Sequence, residues 1–225
     1  KRLLFESNKQ EIDKKENQKL PQSIFIVGMP RSGSTLLETI LNMNSSIIAL
    51  GESNILEETF LDNKKISGFL TLAERYWSKI KEREKKLNKT TNKNLYNYLY
   101  VGFIANQIPN AKIIHCFRNP LDNILSMYRA YFDRGNNYSS SLVDSARAYL
   151  NQEEIMTEYK NRFRSKIYDL NYDSLVSNPD KEIKSLISWL DWKWEDPYLS
   201  PHLNKRSVLT ASSVQVRSPI NFKSI

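Results

Sequence analysis

Gly28-Met-Pro-Arg-Ser-Gly-Ser-Thr35 is the first stretch whose residue types and spacing specify a chemistry. It follows the apolar run Ser23-Ile-Phe-Ile-Val27 and precedes Leu36-Leu37, so it reads as a glycine turn between a buried strand and a helix. Such a turn aims several backbone N–H groups at one spot, where the helix dipole also favours an anion. Gly28 and Gly33 permit the tight turn and the close backbone approach. Both glycines and Thr35 match the nucleotide loop Gly-x-x-x-x-Gly-Lys-Ser/Thr. The lysine position holds Ser34, and a cation stands three residues earlier at Arg31. The expected chemistry is therefore binding of a phosphate-type anion without the lysine that handles a γ-phosphate.

A second cluster begins at Arg118, directly after the apolar run Ala111-Lys-Ile-Ile-His-Cys-Phe117. Nucleotide triphosphatases place a metal-holding Asp near the end of a neighbouring strand. An arginine there argues against Mg²⁺·ATP chemistry and suits a metal-free site for a nucleotide carrying an extra phosphate. Ser126 follows eight residues later, about two helical turns on. Open α/β sheets bind ligands at the carboxyl ends of their strands, so Arg118 and the first loop should face one crevice.

The elements needed to hold these groups are legible. Strands are expected at 23–28, 47–50, 111–117 and 166–170, the second closed by Gly51. Helical patterns cover 36–42, 56–87, 95–107, 141–162 and 179–190, the second with Ile66, Leu70, Ala73, Trp77 and Ile80 on one face. A further helix opens at Pro120 with Asn119 as its cap. Strands alternating with helices predict an α/β domain, and continuous apolar strands predict a mostly parallel sheet buried on both faces. Residues 1–20 are polar and charged and read as an extension or linker, with the domain at 21–225. The tail from Asp196 reads as irregular.

At this point the chain resembles the 3′-phosphoadenosine 5′-phosphosulfate (PAPS)-dependent sulfotransferases. Further matches are Gly51-Glu52, Asn88-Lys89, Pro109 to Arg118, Tyr172-Asp-Ser-Leu-Val176 and Thr210 to Arg217, in the family order. Within the family it is most similar to the branch of tyrosylprotein sulfotransferases and the bacterial enzymes often fused to tetratricopeptide repeats. The resemblance implies a three-layer P-loop-type fold and metal-free, in-line transfer of a sulfuryl group from PAPS to a hydroxyl on a carbohydrate, a small metabolite or a peptide tyrosine. It implies that Arg31, Ser32, Gly33, Ser34 and Thr35 hold the 5′-phosphosulfate. It implies that Arg118 and Ser126 hold the 3′-phosphate and that Tyr172 contacts the nucleoside end. It implies that a closing tail brings in Ser212 as a catalytic residue and Arg217 as a donor-binding one, that Glu52 is the base and that Lys89 is the leaving-group cation; Lys93, a near neighbour, is the fallback for Lys89. In the tyrosylprotein enzymes the glycine-acid motif continues with a second acid and an Arg; here Ser53-Asn54 follow Glu52.

Composition sets outer bounds. The 225 residues suit one domain with a sizeable core. Lys and Arg number 33 against 25 Asp and Glu, a net +8 that suits an anionic partner. The interleaved charges of 79–89 read as a solvated helix face, so no nucleic acid is expected. No apolar window approaches a membrane span, so no membrane partner is expected. The single cysteine, Cys116, excludes a disulfide within the chain and points to a cytoplasmic protein. The chain begins with Lys, not Met, and reads as processed or cut from a longer protein, one with a preceding repeat domain being an option.

The remaining reactive side chains have plain structural readings. His115 lies between Ile114 and Cys116 in a strand and reads as a satisfied core histidine, with Cys116 as buried filler. His202 in the tail ranks below Glu52 as a base. Met127, Tyr128, Tyr131 and Phe132 follow the second motif at helical spacing and read as core before acceptor pocket. Two other functions stay open: a divergent P-loop kinase, which needs Mg²⁺·ATP, and a non-catalytic nucleotide- or protein-binding module.

Overall fold

A computed structural model of the chain describes residues 2–8, 21–65, 70–83, 89–130, 132, 135–204 and 217–220. The strands are β1 (Gln22–Gly28), β2 (Ile47–Ala49), β3 (Lys89–Asn92), β4 (Ala111–Phe117) and β5 (Ile167–Asn171). The helices are α1 (Arg2–Asn8), α2 (Ser34–Leu41), α3 (Ile55–Lys65), α4 (Leu72–Arg83), α5 (Val101–Gln107), α6 (Pro120–Arg129), α7 (Leu142–Phe163), α8 (Tyr172–Ser177) and α9 (Pro179–Trp189). The strands form one parallel sheet in the order β2-β3-β1-β4-β5. The α/β class and the parallel sheet are as expected, and the four foreseen strands form within a residue of their expected bounds.

Alternate residues of the central strand serve opposite faces, as the pleat requires. Phe25 and Val27 join the core under α3, α4, α5 and α7, with Trp77, Ile104, Ile113 and Tyr159. Ile24 and Ile26 join the core under α2, α8 and α9, with Leu37, Ile114, Leu170 and Leu186. Leu3 and Leu4 of α1 pack against the first of these cores, so this part of the expected extension lies on the domain.

Several expectations need correction. The pattern at 56–87 is two helices, α3 and α4, and Leu70 stands exposed before the second rather than on a buried face. Ile66 and residues 84–88 lie outside the described residues. Residues 95–107 open as a 3-10 turn, Leu95–Tyr100, because the Asn94 side chain accepts from Tyr96 N–H and tightens the entry. β3 went unforeseen. Thr90, Thr91 and Asn92 are buried yet polar, and the partners of the threonines lie far off in sequence: Ser23 Oγ stands 3.0 Å from Thr90 Oγ1 and 3.1 Å from Tyr76 Oη, and Thr91 Oγ1 faces Glu38. Asn92 Oδ1 accepts from the Asn97 amide at 3.1 Å. The Asn119 cap is as expected, its Oδ1 accepting from the N–H groups of Leu121 and Asp122.

His115 is buried and fully partnered, as the strand context predicted. Nδ1 lies 3.2 Å from Asp169, and Nε2 lies 2.9 Å from the Gln152 amide and 3.3 Å from Glu153. Burial alone would favour the neutral ring, but the Asp169 and Glu153 carboxylates outweigh it and raise the ring's pKa. Cys116 beside it is buried, which pushes its thiol up and leaves it unreactive. A ring whose pKa is raised on folding stabilises the fold below its ordinary value of 6.5, and that contribution fades as pH rises through the raised value. The melting-temperature advantage of the native protein over His115→Gln should therefore be largest near about pH 5 and shrink toward about pH 9. Differential scanning fluorimetry across that range checks it; an advantage that grows with pH removes the charged-ring assignment.

Candidate active site

The strand ends converge because the sheet is parallel. β1 ends at Gly28, which pairs with Cys116 one residue short of the end of β4. Arg118 leaves the end of β4, and Tyr172 leaves the end of β5. On the other side, Leu50 N–H donates to Thr91 O at 2.8 Å and Lys93 N–H to Gly51 O at 2.9 Å. These two bonds extend the β2–β3 ladder beyond its last paired residues. They bring Glu52 to the same edge as the glycine turn.

The turn is sterically specified. A side chain at Gly28 would place its Cβ 2.2 Å from the backbone oxygen of Cys116, which cannot yield. Gly33 caps α2 in the left-handed region, and a Cβ there would lie 2.1 Å from the Tyr172 ring. Tyr172 is therefore seated on the turn itself. Ser32 Oγ is buried and has no hydrogen-bond partner in the protein. Asn123 of α6 donates to Pro30 O at 3.1 Å and ties the turn to the second motif.

Two guanidinium groups meet at this turn. Arg31 Nε–H donates to Ser126 Oγ at 3.1 Å. Burial first, and then the charge of Arg118, lower the pKa of Arg31. Arg118 is buried, its guanidinium lies 5.1 Å over the Tyr172 ring, and its Nε has no hydrogen-bond partner. The nearest carboxylate, Asp173, stands 3.8 Å from that nitrogen and is already held by Asn119 N–H. Like charges held close together, one of them buried with an unsatisfied donor, are an arrangement completed by an anion.

The second half of the site lies across the edge. Lys93 is buried, and its Nζ donates to Glu52 Oε1 at 2.7 Å. The Glu52 side chain is 59% exposed, and a buried ammonium stands at contact distance from it. A further carboxylate, Glu38 of α2, lies 4.0 Å from Lys93 Nζ. Burial raises the Glu38 carboxyl and the Glu52 charge adds to this, while Lys93, the Thr91 hydroxyl and the Gly51 N–H offset only part of it, so it stays above the ordinary value.

The fold thus assembles Arg31, Ser32, Gly33, Ser34, Thr35, Arg118, Ser126, Tyr172 and Glu52 along one edge. It does not bring Lys89 there. Lys89 pairs with Gln22 at the opening end of β1, about 20 Å along the strand from Gly28, and its ammonium lies over Trp192 at 4.7 Å. Its strand neighbour Lys93 occupies the crevice instead. Arg217 is exposed, and among the described residues no contact ties it to the turn. Ser212 lies outside the described residues. Sequence reading passed over Glu38, whose one signal was an acid inside the apolar run Leu36-Leu37-Glu38-Thr39-Ile40-Leu41. The aromatics after the second motif divide: Met127 is core, Phe132 is partly buried against it, Tyr128 is exposed, and Tyr131 lies outside the described residues.

The sulfotransferase family profile matches residues 21–196. An uncharacterized protein of Aquifex aeolicus is 29% identical over 90% of this chain, and the match spans 30% of that relative's own length. A putative protein-tyrosine sulfotransferase of Caenorhabditis briggsae is 26% identical over 91% of this chain and 79% of its own. In three dimensions the fold is similar to the sulfotransferase domain from the curacin biosynthetic pathway, at TM-score 0.63 and 19% identity over 86% and 83% of the two chains. It is also similar to the sulfotransferase domain of the Synechococcus PCC 7002 olefin synthase, at TM-score 0.61 and 17% identity over 90% of each chain. Mouse sulfotransferase SULT7A1, solved with PAP, aligns at TM-score 0.53 and 15% identity over 80% of this chain and 62% of its own. At these identities the structural likeness is one of fold. With the profile covering residues 21–196 of its 225, the chain belongs to the sulfotransferase family.

Proposed function

We propose that this chain transfers a sulfuryl group from PAPS to a hydroxyl acceptor. The observation that carries the reading is the half-buried Arg31, bonded to Ser126, drawn up beside the buried Arg118 on a bare glycine turn. The residues fit a bisphosphorylated nucleotide. The unpartnered Ser32 Oγ and Arg118 Nε are groups that phosphate oxygens satisfy, and the first turn of α2 supplies N–H groups with no earlier carbonyl to bond. In this reading Arg31, Ser32, Gly33, Ser34 and Thr35 hold the 5′-phosphosulfate, Arg118 and Ser126 the 3′-phosphate, and Tyr172 the nucleoside end. Ser212 and Arg217 keep their place as a closing tail. When bound, the donor supplies the sulfuryl group and leaves as 3′-phosphoadenosine 5′-phosphate (PAP). Glu52 accepts the proton of the acceptor hydroxyl. Lys93, in the role first given to Lys89, presents its ammonium to the negative charge that builds on the departing oxygen. Among acceptors, a peptide tyrosine joins carbohydrate and small metabolite, since one relative is named a putative protein-tyrosine sulfotransferase.

Three measurements test this reading. At one hundred times its dissociation constant, PAP should raise the melting temperature by roughly 5–10 °C, from about 2.7 kcal/mol of linkage in a domain of this size. Stabilisation by Mg²⁺·ATP and not by PAP would instead favour a kinase. Arg118→Met should weaken PAP about tenfold to hundredfold and leave AMP almost unchanged, because a charge-assisted hydrogen bond is worth about 1.5–3 kcal/mol. Isothermal titration with the two nucleotides reads this directly, and an equal loss for both contradicts a 3′-phosphate role. Glu52→Gln should lower kcat about 10²–10⁴-fold with PAP affinity intact. Radiolabelled transfer from PAPS to a panel of 4-nitrophenol, a tyrosine peptide and an oligosaccharide measures it; full-rate transfer by the variant removes Glu52 as base.

A further inference from the structure

The Lys93 ammonium is buried between two carboxylates, Glu52 at 2.7 Å and Glu38 at 4.0 Å. One carboxylate would neutralise it, so the second needs a reason. The two differ in how they are held. Glu52 is largely exposed and sits on the loop after β2. Glu38 is buried on α2, one helical turn after Ser34, so it stands on the helix that the glycine turn opens. It accepts from the Gly51 N–H and faces Thr91 Oγ1 at 3.4 Å, which ties it to both the Glu52 loop and the end of β3.

We infer that Glu38 is a positioning residue that keeps Lys93 compensated and oriented while Glu52 works as the base. This rests on the sulfotransferase reading above. In the resting pair, Glu52 and Lys93 occupy each other. During transfer the proton leaves the acceptor oxygen and binds a Glu52 oxygen, so Glu52 becomes neutral and releases Lys93. A buried ammonium left without a carboxylate is unfavourable, and the site would resist that proton transfer. Glu38 supplies the standing negative charge, so that Lys93 remains charged and directed toward the departing oxygen. Before and after the proton transfer Lys93 then faces one ionised carboxylate at least.

Glu38→Gln tests this. Glutamine keeps the length and a carbonyl oxygen for the Gly51 N–H, and removes only the charge. Expected are a PAP dissociation constant and an acceptor KM within about threefold of the wild type, with kcat lowered about tenfold to hundredfold. A kcat within about twofold of the wild type overturns the inference, as does a parallel loss of PAP binding and kcat, which marks a structural role. If the glutamine variant does not fold, Glu38→Asp serves: it keeps the charge and withdraws it from Lys93. It should lower kcat about threefold to tenfold with PAP binding unchanged, and an unaltered kcat overturns the inference. The acceptor used is the one that the wild type sulfates in the panel above. A wild type that neither binds PAP nor sulfates any of them defeats the sulfotransferase reading itself, whatever the Glu38 variants do.

Discussion

The parallel register of the sheet is the constraint on which the site depends. Every strand delivers its carboxyl end to the same edge, so groups from 31, 52, 93, 118 and 172 meet although long stretches of chain separate them. Nothing else in the fold could assemble two guanidinium groups and a carboxylate–ammonium pair on one rim. Parallel strands need crossover connections, and those connections supply the helices that carry Ser126 and Glu38. The chemistry is thus a by-product of connectivity, refined by a few tight contacts such as Tyr172 on Gly33.

Within that edge the division of labour is electrostatic. One side gathers positive charge with hydrogen-bond capacity left unused, which favours an anion. The other pairs a buried ammonium with two carboxylates of unequal exposure, which favours movement of a proton. The halves are linked through α2, whose first turn frames the anion side and whose second faces Lys93.

How far this was legible follows from where the information lay. The glycine turn, the arginine after β4 and the helix cap at Asn119 are local, and local patterns carry them. The Glu52–Lys93 pair is not local. It depends on β3, whose residues Thr90, Thr91 and Asn92 look like loop composition, their polarity being met by Ser23, Glu38 and Asn97 only in the folded chain. With that strand unseen, Lys89 and Lys93 could not be told apart. Four residues of strand separate the far edge of the sheet from the near one. The paired β-branched threonines were the available sign of a strand. Glu38 was hidden for a similar reason, since only the tertiary fold shows which neighbours a lone acid in an apolar helix will face.

The closeness of Arg31 and Arg118 has a consequence for the protein as a cellular object. Mutual repulsion between the two cations, one of them buried, is carried whenever no anion offsets it, so the empty protein is the less durable form. Holding both arginines exchanges durability for recognition. The standing amount of folded protein should then follow the supply of whatever anion the site takes, falling first when that supply runs short.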